Sequence, residues 1–157
     1  MLPIGALKDA DVEQVVALAG RTGIFTGDEL AVVRELVEIE VGKREQQDYH
    51  SFVARKNGQV LGFACYGPTP MTEGTYDLYW IFVDPKDHRK GVAGALLEKV
   101  EKAVRRARGR MLLADTSSSR PYLPARRFYQ KHGFHKAAEV EDYYRVGDSR
   151  VTYVKQL

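Results

Sequence analysis

Residues 81–97 read IFVDPKDHRKGVAGALL: an apolar, strand-like run, a charged loop, and a helix that opens on small residues. The first N–H groups of a helix have no acceptor within the helix, and its dipole adds roughly half a positive charge at that end. Gly91, Ala93 and Gly94 would let an anion approach this backbone closely, and the preceding Arg89-Lys90 pair adds charge. The stretch therefore predicts a phosphate or pyrophosphate site.

The spacing differs from two common phosphate-binding loops. No Gly-Lys-Ser/Thr follows, so the stretch is not a Walker loop, and the dinucleotide-binding pattern G-x-G-x-x-G is not met. Small residues at a helix start also allow close packing against a sheet. From the residues alone, an anion site and a packing feature both stay open.

Charge is unevenly distributed along the chain. The net charge is +3, from 24 Lys and Arg against 21 Asp and Glu. Residues 84–136 hold 14 basic and 5 acidic side chains, a local +9, whereas residues 1–83 hold 7 basic and 12 acidic, a local −5. A basic block around the loop favours an anionic partner there, and the alternative interpretation is a solvated helix face.

Hydrophobic periodicity predicts the remaining elements. Thr26-Gly27-Asp28-Glu29 matches a capping box at a helix start, and Asn57-Gly58 between alternating runs predicts a hairpin turn. The order β-α-α-β-β-β-α-β-α-β-β predicts a mixed α/β domain on a largely antiparallel sheet, flanked by about four helices, as a single domain over 1–157. The predicted elements cover Met1–Leu7, Val12–Ala19, Gly27 to about Gln46, Tyr49–Lys56, Gln59–Tyr66, Thr75–Asp84, Gly91–Ala107, Arg110–Thr116, Pro124–His132, Phe134–Val140 and Arg150–Lys155.

Composition is that of a globular chain of 157 residues, with 44% hydrophobic and 29% charged residues. The lone cysteine, Cys65, excludes an intramolecular disulfide framework and favours a reduced, cytoplasmic setting. The apolar runs fall short of the roughly 20 residues of a membrane span, so no membrane partner is expected. The first residues turn acidic too soon for a secretory signal. The four histidines lack zinc-type spacing, so no metal is expected.

Two motifs resemble those of the GCN5-related N-acetyltransferases, the GNAT superfamily. The pattern V-x-P-x-x-x-x-x-G-x-G/A followed by two leucines is met by Val83, Pro85, Gly91, Ala93, Leu96 and Leu97. The pattern A-x-x-F-Y-x-x-x-G-F is met by Ala125, Phe128, Tyr129, Gly133 and Phe134. The order of elements also agrees with that family, so the resemblance covers nearly the whole chain and implies a GNAT-like sheet.

The resemblance implies an acetyl-CoA-dependent N-acetyltransferase that passes the acetyl group directly to a primary amine of a small molecule or peptide. Backbone groups near Phe82 and Val83 would align the pantetheine, in a slot opened by a strand bulge and by splaying of Arg110–Thr116. Two positions depart from the family: His88 replaces the usual Gln or Arg, and Tyr122 replaces a common Asn. The expected pyrophosphate loop comprises His88, Arg89, Lys90, Gly91, Val92, Ala93, Gly94 and Ala95.

Two side chains are the predicted catalytic residues. Tyr129 occupies the family's general-acid position, and its ordinary pKa of ~10 lies near the ~8.5 of a thiol, which suits protonation of a departing thiolate. Its alternative role is packing beside Phe128. Asp77 stands fourteen residues before the first motif glycine, where some members carry a basic carboxylate. Because Asp is shorter than Glu, a water would have to carry the proton; other candidates for the base are Glu73, Glu141 and Asp142.

Two other classes of function compete with the enzyme. A non-catalytic acyl-CoA-binding or regulatory module would need the anion loop but not Tyr129. A nucleic-acid-binding domain would use the arginines of the basic block, yet no nucleic-acid motif accompanies them, so nucleic acid is not an expected partner. The acceptor amine is not identified by the sequence, and exposed terminal strands could pair two copies into a homodimer.

Overall fold

The computed structural model describes residues 2–157. Met1 lies outside the described residues, so the predicted first strand is seen only from Leu2 onward. Short 3-10 turns precede α1, α3 and α4. The elements are β1 Ile4–Ala6, α1 Val12–Arg21, α2 Gly27–Gly42, β2 His50–Lys56, β3 Gln59–Pro68, β4 Thr75–Val83, α3 Val92–Arg106, β5 Met111–Ser117, α4 Leu123–Lys131, β6 His135–Arg145 and β7 Asp148–Gln156.

The strands form one seven-stranded sheet in the order β1-β2-β3-β4-β5-β7-β6. Every neighbouring pair is antiparallel except β4 and β5, which run parallel. α1 and α2 bury their apolar faces, with Leu18 and Val37 fully enclosed, on one side of the sheet. α3 and α4 cover the other side, where Leu96 and Val100 are fully buried. The predicted mixed α/β architecture is confirmed.

Local signals fix several boundaries. The Thr26 side chain accepts from the Glu29 N–H and the Glu29 carboxylate accepts from the Thr26 N–H, so the predicted capping box starts α2. Asn57 and Gly58 have φ of 52° and 76°, and Lys56 pairs with Gln59 across them. A two-residue hairpin turn requires positive φ at both turn residues, which explains why Asn and Gly occupy these positions.

Several observed boundaries differ from the predicted ones. α2 ends at Gly42 instead of near Gln46, because the Gln46 amide oxygen accepts from the N–H groups of Asp48 and Tyr49 and turns the chain into β2. β3 runs on to Pro68. β6 reaches Arg145 and joins β7 in one hairpin, so the prediction that it stops at Val140 is wrong.

β6 forms one edge of the sheet, and all of its residues are exposed. Pairing of two copies through such an edge stays a prediction. Among residues 2–157, no helix is both long and apolar enough to cross a membrane.

The sheet opens between β4 and β5, and this opening positions the candidate site. The two strands are paired only from Thr75–Met111 to Asp77–Leu113. Beyond that point β4 continues beside β3 while β5 continues beside β7. Cys65 pairs with Trp80 and Tyr66 with Leu78, so Tyr79 is the extra residue of a bulge in β4. Bulge and divergence together make a gap in the sheet, as the resemblance implied.

Candidate active site

The free edge of β4 presents backbone groups to the gap. The Asp84 N–H donates to the Leu61 carbonyl at 2.8 Å, and Phe63 pairs with Phe82 in the same register. Because hydrogen-bonded pairs alternate along an antiparallel ladder, Phe82 turns its backbone groups to β3, while Ile81 and Val83 turn theirs to the gap. Sequence reasoning named Phe82 and Val83 but missed Ile81, which strand alternation from Val83 would have indicated.

The start of α3 leaves a row of N–H groups without acceptors. No backbone or side-chain group among the described residues accepts from the N–H of Arg89 or from those of the first turn, Gly91, Val92, Ala93 and Gly94. Gly91 adopts a φ of +79°, which favours glycine, and a Cβ built on it would meet no atom within 4 Å. The turn is therefore open to an anion along its outer side.

Asp84 anchors the loop that leads to α3. Its carboxylate accepts from Arg21 of α1 at 3.0 Å and from the Lys86 N–H at 3.2 Å. Burial alone would raise the pKa of Asp84, but these two donors hold the pKa below its ordinary value. Asp84 thus stays ionised and ties the end of β4 to α1, which fixes where the row of free N–H groups lies.

A cavity of about 630 Å³ lies at the gap. The loop from α1 to α2 forms one wall, α4 and the loop before it form another, and β4 and β5 form the floor. The lining is largely aromatic, with four carboxylates and one guanidinium. These residues are the aromatic Phe25, Tyr79, Trp80, Tyr122, Tyr129 and Tyr144, the acidic Asp28, Glu29, Asp115 and Asp148, and Arg145.

Tyr129 is the most enclosed aromatic side chain of this lining, with 6% of its surface exposed. Its ring packs on Phe134 and Tyr153, with centroids 5.3 and 5.6 Å away. No described residue accepts from or donates to its hydroxyl. Burial raises the pKa of Tyr129, and the nearby charge of Asp115 adds to the rise. The hydroxyl therefore stays protonated around neutral pH and is free to donate to a molecule in the cavity.

Asp77 lies on β4 at the last pair before the gap, but outside the residues that line the cavity. Thr69 donates its hydroxyl to the Asp77 carboxylate at 2.7 Å. Burial raises the pKa of Asp77; the Thr69 hydrogen bond lowers it, and the charge of Asp115 raises it further. The charge of Asp115 raises the pKa of both Asp77 and Tyr129.

Asp115 is a cavity residue that sequence reasoning missed. It is an exposed carboxylate on β5, just past the point where β5 leaves β4, and Thr152 donates to it at 2.5 Å. The sequence feature that could have indicated Asp115 is its position as the single acidic residue in the otherwise uncharged strand Met111–Ser117.

Tyr122 joins two distant parts of the chain across the cavity. Its hydroxyl donates to the Glu29 carboxylate at 3.3 Å, which links the loop before α4 to the start of α2. Burial, followed by the charge of Glu29, raises the pKa of Tyr122. A tyrosine in place of the family's common Asn therefore closes one wall here.

Comparison with known proteins places the chain in a family. The sequence profile described as "Acetyltransferase (GNAT) domain" matches residues 47–136, which is more than half of the chain. No curated protein matches the sequence. A GNAT-family protein of known structure from Desulfovibrio desulfuricans is 39% identical, with a TM-score of 0.96 and 99% of each chain covered. The chain belongs to the GNAT acetyltransferase family.

More distant structures share the fold. The ribosomal-protein-S18-alanine N-acetyltransferase from Escherichia coli is 21% identical, with a TM-score of 0.78 over 99% of this chain and 94% of that chain. The PaiA N-acetyltransferase from Thermoplasma acidophilum, solved in complex with coenzyme A, is 18% identical, with a TM-score of 0.76 over 100% and 99%.

Proposed function

We propose that residues 1–157 act as one domain that transfers an acetyl group from acetyl-CoA to the primary amine of a small molecule or peptide. The observation that carries this proposal is the gap between β4 and β5: β4 leads from it to the free N–H groups at the start of α3, and Tyr129, with its unpartnered hydroxyl, lines the cavity at the gap. The lone thiol, Cys65, is fully buried outside the lining of the cavity, and burial raises its pKa, so it does not fit a nucleophile. A reduced, cytoplasmic setting, expected from the single cysteine, is part of this proposal.

The residues present fit acetyl-CoA. Its pyrophosphate matches the N–H groups of Arg89 and of the first turn of α3, in the loop predicted as His88–Ala95. The backbone groups of Ile81 and Val83 offer hydrogen bonds of the kind that pantetheine amides need. The bound coenzyme A of the Thermoplasma acidophilum structure supports the same ligand class.

Three tasks of the reaction fall to this chain. Acetyl-CoA, when bound, supplies the thioester. A free N–H on β4 would polarise the acetyl carbonyl, as in a small oxyanion hole. Asp77 would take the amine's proton through a water, and its raised pKa makes it a better base than an ordinary aspartate. As the amine nitrogen forms the C–N bond and the C–S bond breaks, Tyr129 would donate its proton to the departing sulfur.

Two arginines of the basic block bind the chain's own backbone. Arg110 donates to the Glu73 carbonyl at 2.7 Å, and Arg126 donates to the carbonyls of Ser117 and Ser119 at 2.7 and 2.8 Å. Arg105, Arg106 and Arg108 stay exposed at the end of α3 and just after it. No nucleic-acid motif accompanies them and the matching family is one of acetyltransferases, so the enzyme remains the better-supported proposal over nucleic-acid binding.

The test is a titration of the purified protein with acetyl-CoA by calorimetry, followed by detection of released CoA thiol with a panel of primary amines. We expect saturable binding at a single site and amine-dependent thiol release. Absence of acetyl-CoA binding would overturn the proposal, whereas binding without release for any amine would support a non-catalytic acyl-CoA-binding module instead.

A further inference from the structure

The cavity lining has more carboxylates than the proposed reaction requires. Of the four lining carboxylates, only Asp148 has a cation, since Arg145 donates to it at 2.8 Å. Within residues 2–157, no Lys, Arg or His forms an ion pair with Asp28, Glu29 or Asp115. Three carboxylates therefore line the cavity without a cationic side chain paired to them, although Asp28 and Glu29 also lie at the N-terminus of α2, whose dipole favours negative charge.

Neutral donors hold two of these carboxylates in place. Glu29 accepts from the Thr26 N–H at 3.0 Å and from the Tyr122 hydroxyl at 3.3 Å, and Asp115 accepts from Thr152. Such hydrogen bonds fix the direction of the carboxylates without cancelling their charge. The negative electrostatic potential of these carboxylates is therefore a fixed property of the cavity wall.

The reacting amine cannot be the group that matches this potential. A nitrogen attacks a carbonyl only through a free lone pair, so the acceptor amine must be neutral when the C–N bond forms. Whatever cation it contributes on arrival is lost before the reaction. The carboxylates without a paired cation therefore call for a second cationic group that keeps its charge throughout.

The aromatic walls suit the same group. Phe25 packs edge-on against Trp80, with centroids 5.2 Å apart, and Tyr79 lines the cavity beside them. Aromatic faces attract ammonium groups, most strongly where water is partly excluded. The volume of about 630 Å³ must also hold the acetyl end of acetyl-CoA, so the acceptor is small.

We infer that the acceptor is a small aliphatic diamine or polyamine: one nitrogen is acetylated, and a second, charged nitrogen is held between the aromatic wall and Asp28 and Glu29. This inference rests on the proposed function and names its substrate class. Tyr129 is buried except where it lines the cavity, and its hydroxyl, which no described residue hydrogen-bonds, marks the end of the cavity at which the neutral nitrogen reacts.

The test uses amines that differ only in the second cation. Transfer to 1,4-diaminobutane is compared with transfer to 1-aminobutane and 4-amino-1-butanol, and binding of each amine is measured by calorimetry in the presence of CoA. We expect kcat/KM and affinity to favour the diamine by about tenfold or more, since tenfold corresponds to about 1.4 kcal/mol.

Two charge-removing variants and one control locate the effect. Asp28→Asn and Glu29→Gln should each lower the diamine-to-monoamine ratio several-fold, mainly through KM, and Gln at 29 preserves the capping box. Glu35→Gln removes the same charge from the exposed side of α2, outside the cavity, and should leave the ratio unchanged.

The outcomes separate this inference from the proposed function. Equal use of monoamine and diamine, an unchanged ratio in both cavity variants, or no binding of any of these amines by a protein that binds acetyl-CoA would each overturn the diamine inference. Failure to bind acetyl-CoA, or no thiol release with any primary amine of the panel, would reach the proposed function as well.

Discussion

Tyr129 combines two properties that seldom occur together in a tyrosine: deep burial and a hydroxyl without a partner. A phenylalanine would pack on Phe134 and Tyr153 equally well, so packing alone does not explain the hydroxyl. The raised pKa keeps the proton on the oxygen around neutral pH and moves its loss to more alkaline pH than usual. The Tyr129 side chain therefore fits the proposed role of proton donor beside the gap.

We expect Tyr129→Phe to lower kcat by about 10²–10³-fold while the affinity for acetyl-CoA stays within about twofold. Phenylalanine preserves the ring packing on Phe134 and Tyr153, so the fold should be unaffected. The measurement is steady-state thiol release together with calorimetric binding. Tyr153→Phe is the matched control, because Tyr153 is equally buried but does not line the cavity. Unchanged turnover in Tyr129→Phe would remove the general-acid role.

The proposed base gives a prediction about pH. A base must be ionised, so kcat/KM should fall as pH drops through the pKa of Asp77, and burial sets that pKa above the ordinary 3.8. We expect Asp77→Asn to lose this acid limb and about tenfold or more of the rate, while the contact with Thr69 is preserved. The pH–rate profile of kcat/KM is the measurement. Glu73→Gln tests the exposed alternative base named from the sequence and should keep the acid limb. An acid limb unshifted in Asp77→Asn excludes Asp77 as the base.

At the scale of elements, α3 acts through its backbone. Its N-cap is a glycine in the left-handed region with no side-chain hydrogen bond, so the usual capping group is missing from the first turn. A natural cap would satisfy the same N–H groups that an anion requires. The helix therefore lacks a stabilising contact at its start, and its first N–H groups stay open to an anion.

Gly91→Asp should separate folding from binding. Asp tolerates positive φ better than most residues, and a Cβ meets nothing within 4 Å, so we expect the free energy of unfolding to change by no more than about 1 kcal/mol. The new carboxylate would repel an incoming pyrophosphate, and the Kd for acetyl-CoA should rise about tenfold or more. Calorimetry and urea unfolding are the measurements.

Gly91→Asn is the control for this prediction, because it has the same shape and backbone demand without the charge. Its Kd should lie well below that of the Asp variant, because any capping of the free N–H groups is common to both side chains and only the charge differs. If the Asp and Asn variants bind acetyl-CoA equally well, the first turn of α3 is not where the pyrophosphate sits.

Elements set by neighbouring residues were predictable, and elements set by distant contacts were not. The capping box at Thr26–Glu29 and the Asn57-Gly58 turn each depend on a few consecutive side chains, and both were foreseen. The link between Tyr122 and Glu29 joins residues 93 positions apart, so no local pattern announces it. The outer half of β6, with its mixed charged and tyrosine residues, lacks alternation and takes its strand form from pairing with β7.

For the molecule as a whole, the sequence predicted the reaction class better than the acceptor. The loop before α3 and the helix that carries Tyr129 have motifs because their chemistry demands particular residues at fixed spacing. The part of the cavity where we place the acceptor is lined by the α1–α2 loop, β5 and the β6–β7 hairpin. The side chains of these segments meet only once the sheet has formed. The uneven charge along the chain does survive folding: the carboxylates of the first half contribute Asp28 and Glu29 to the cavity.

The short pairing of β4 with β5 has a further consequence. Three residue pairs join the two halves of the sheet there, and beyond them the edge of β4 has hydrogen-bonding capacity that the protein itself does not use. A guest lying in the gap would complete the ladder much as an added strand does. The hydrogen bonds that bind such a molecule would also connect the two halves of the sheet. The stability of the sheet would therefore depend on whether the molecule is bound.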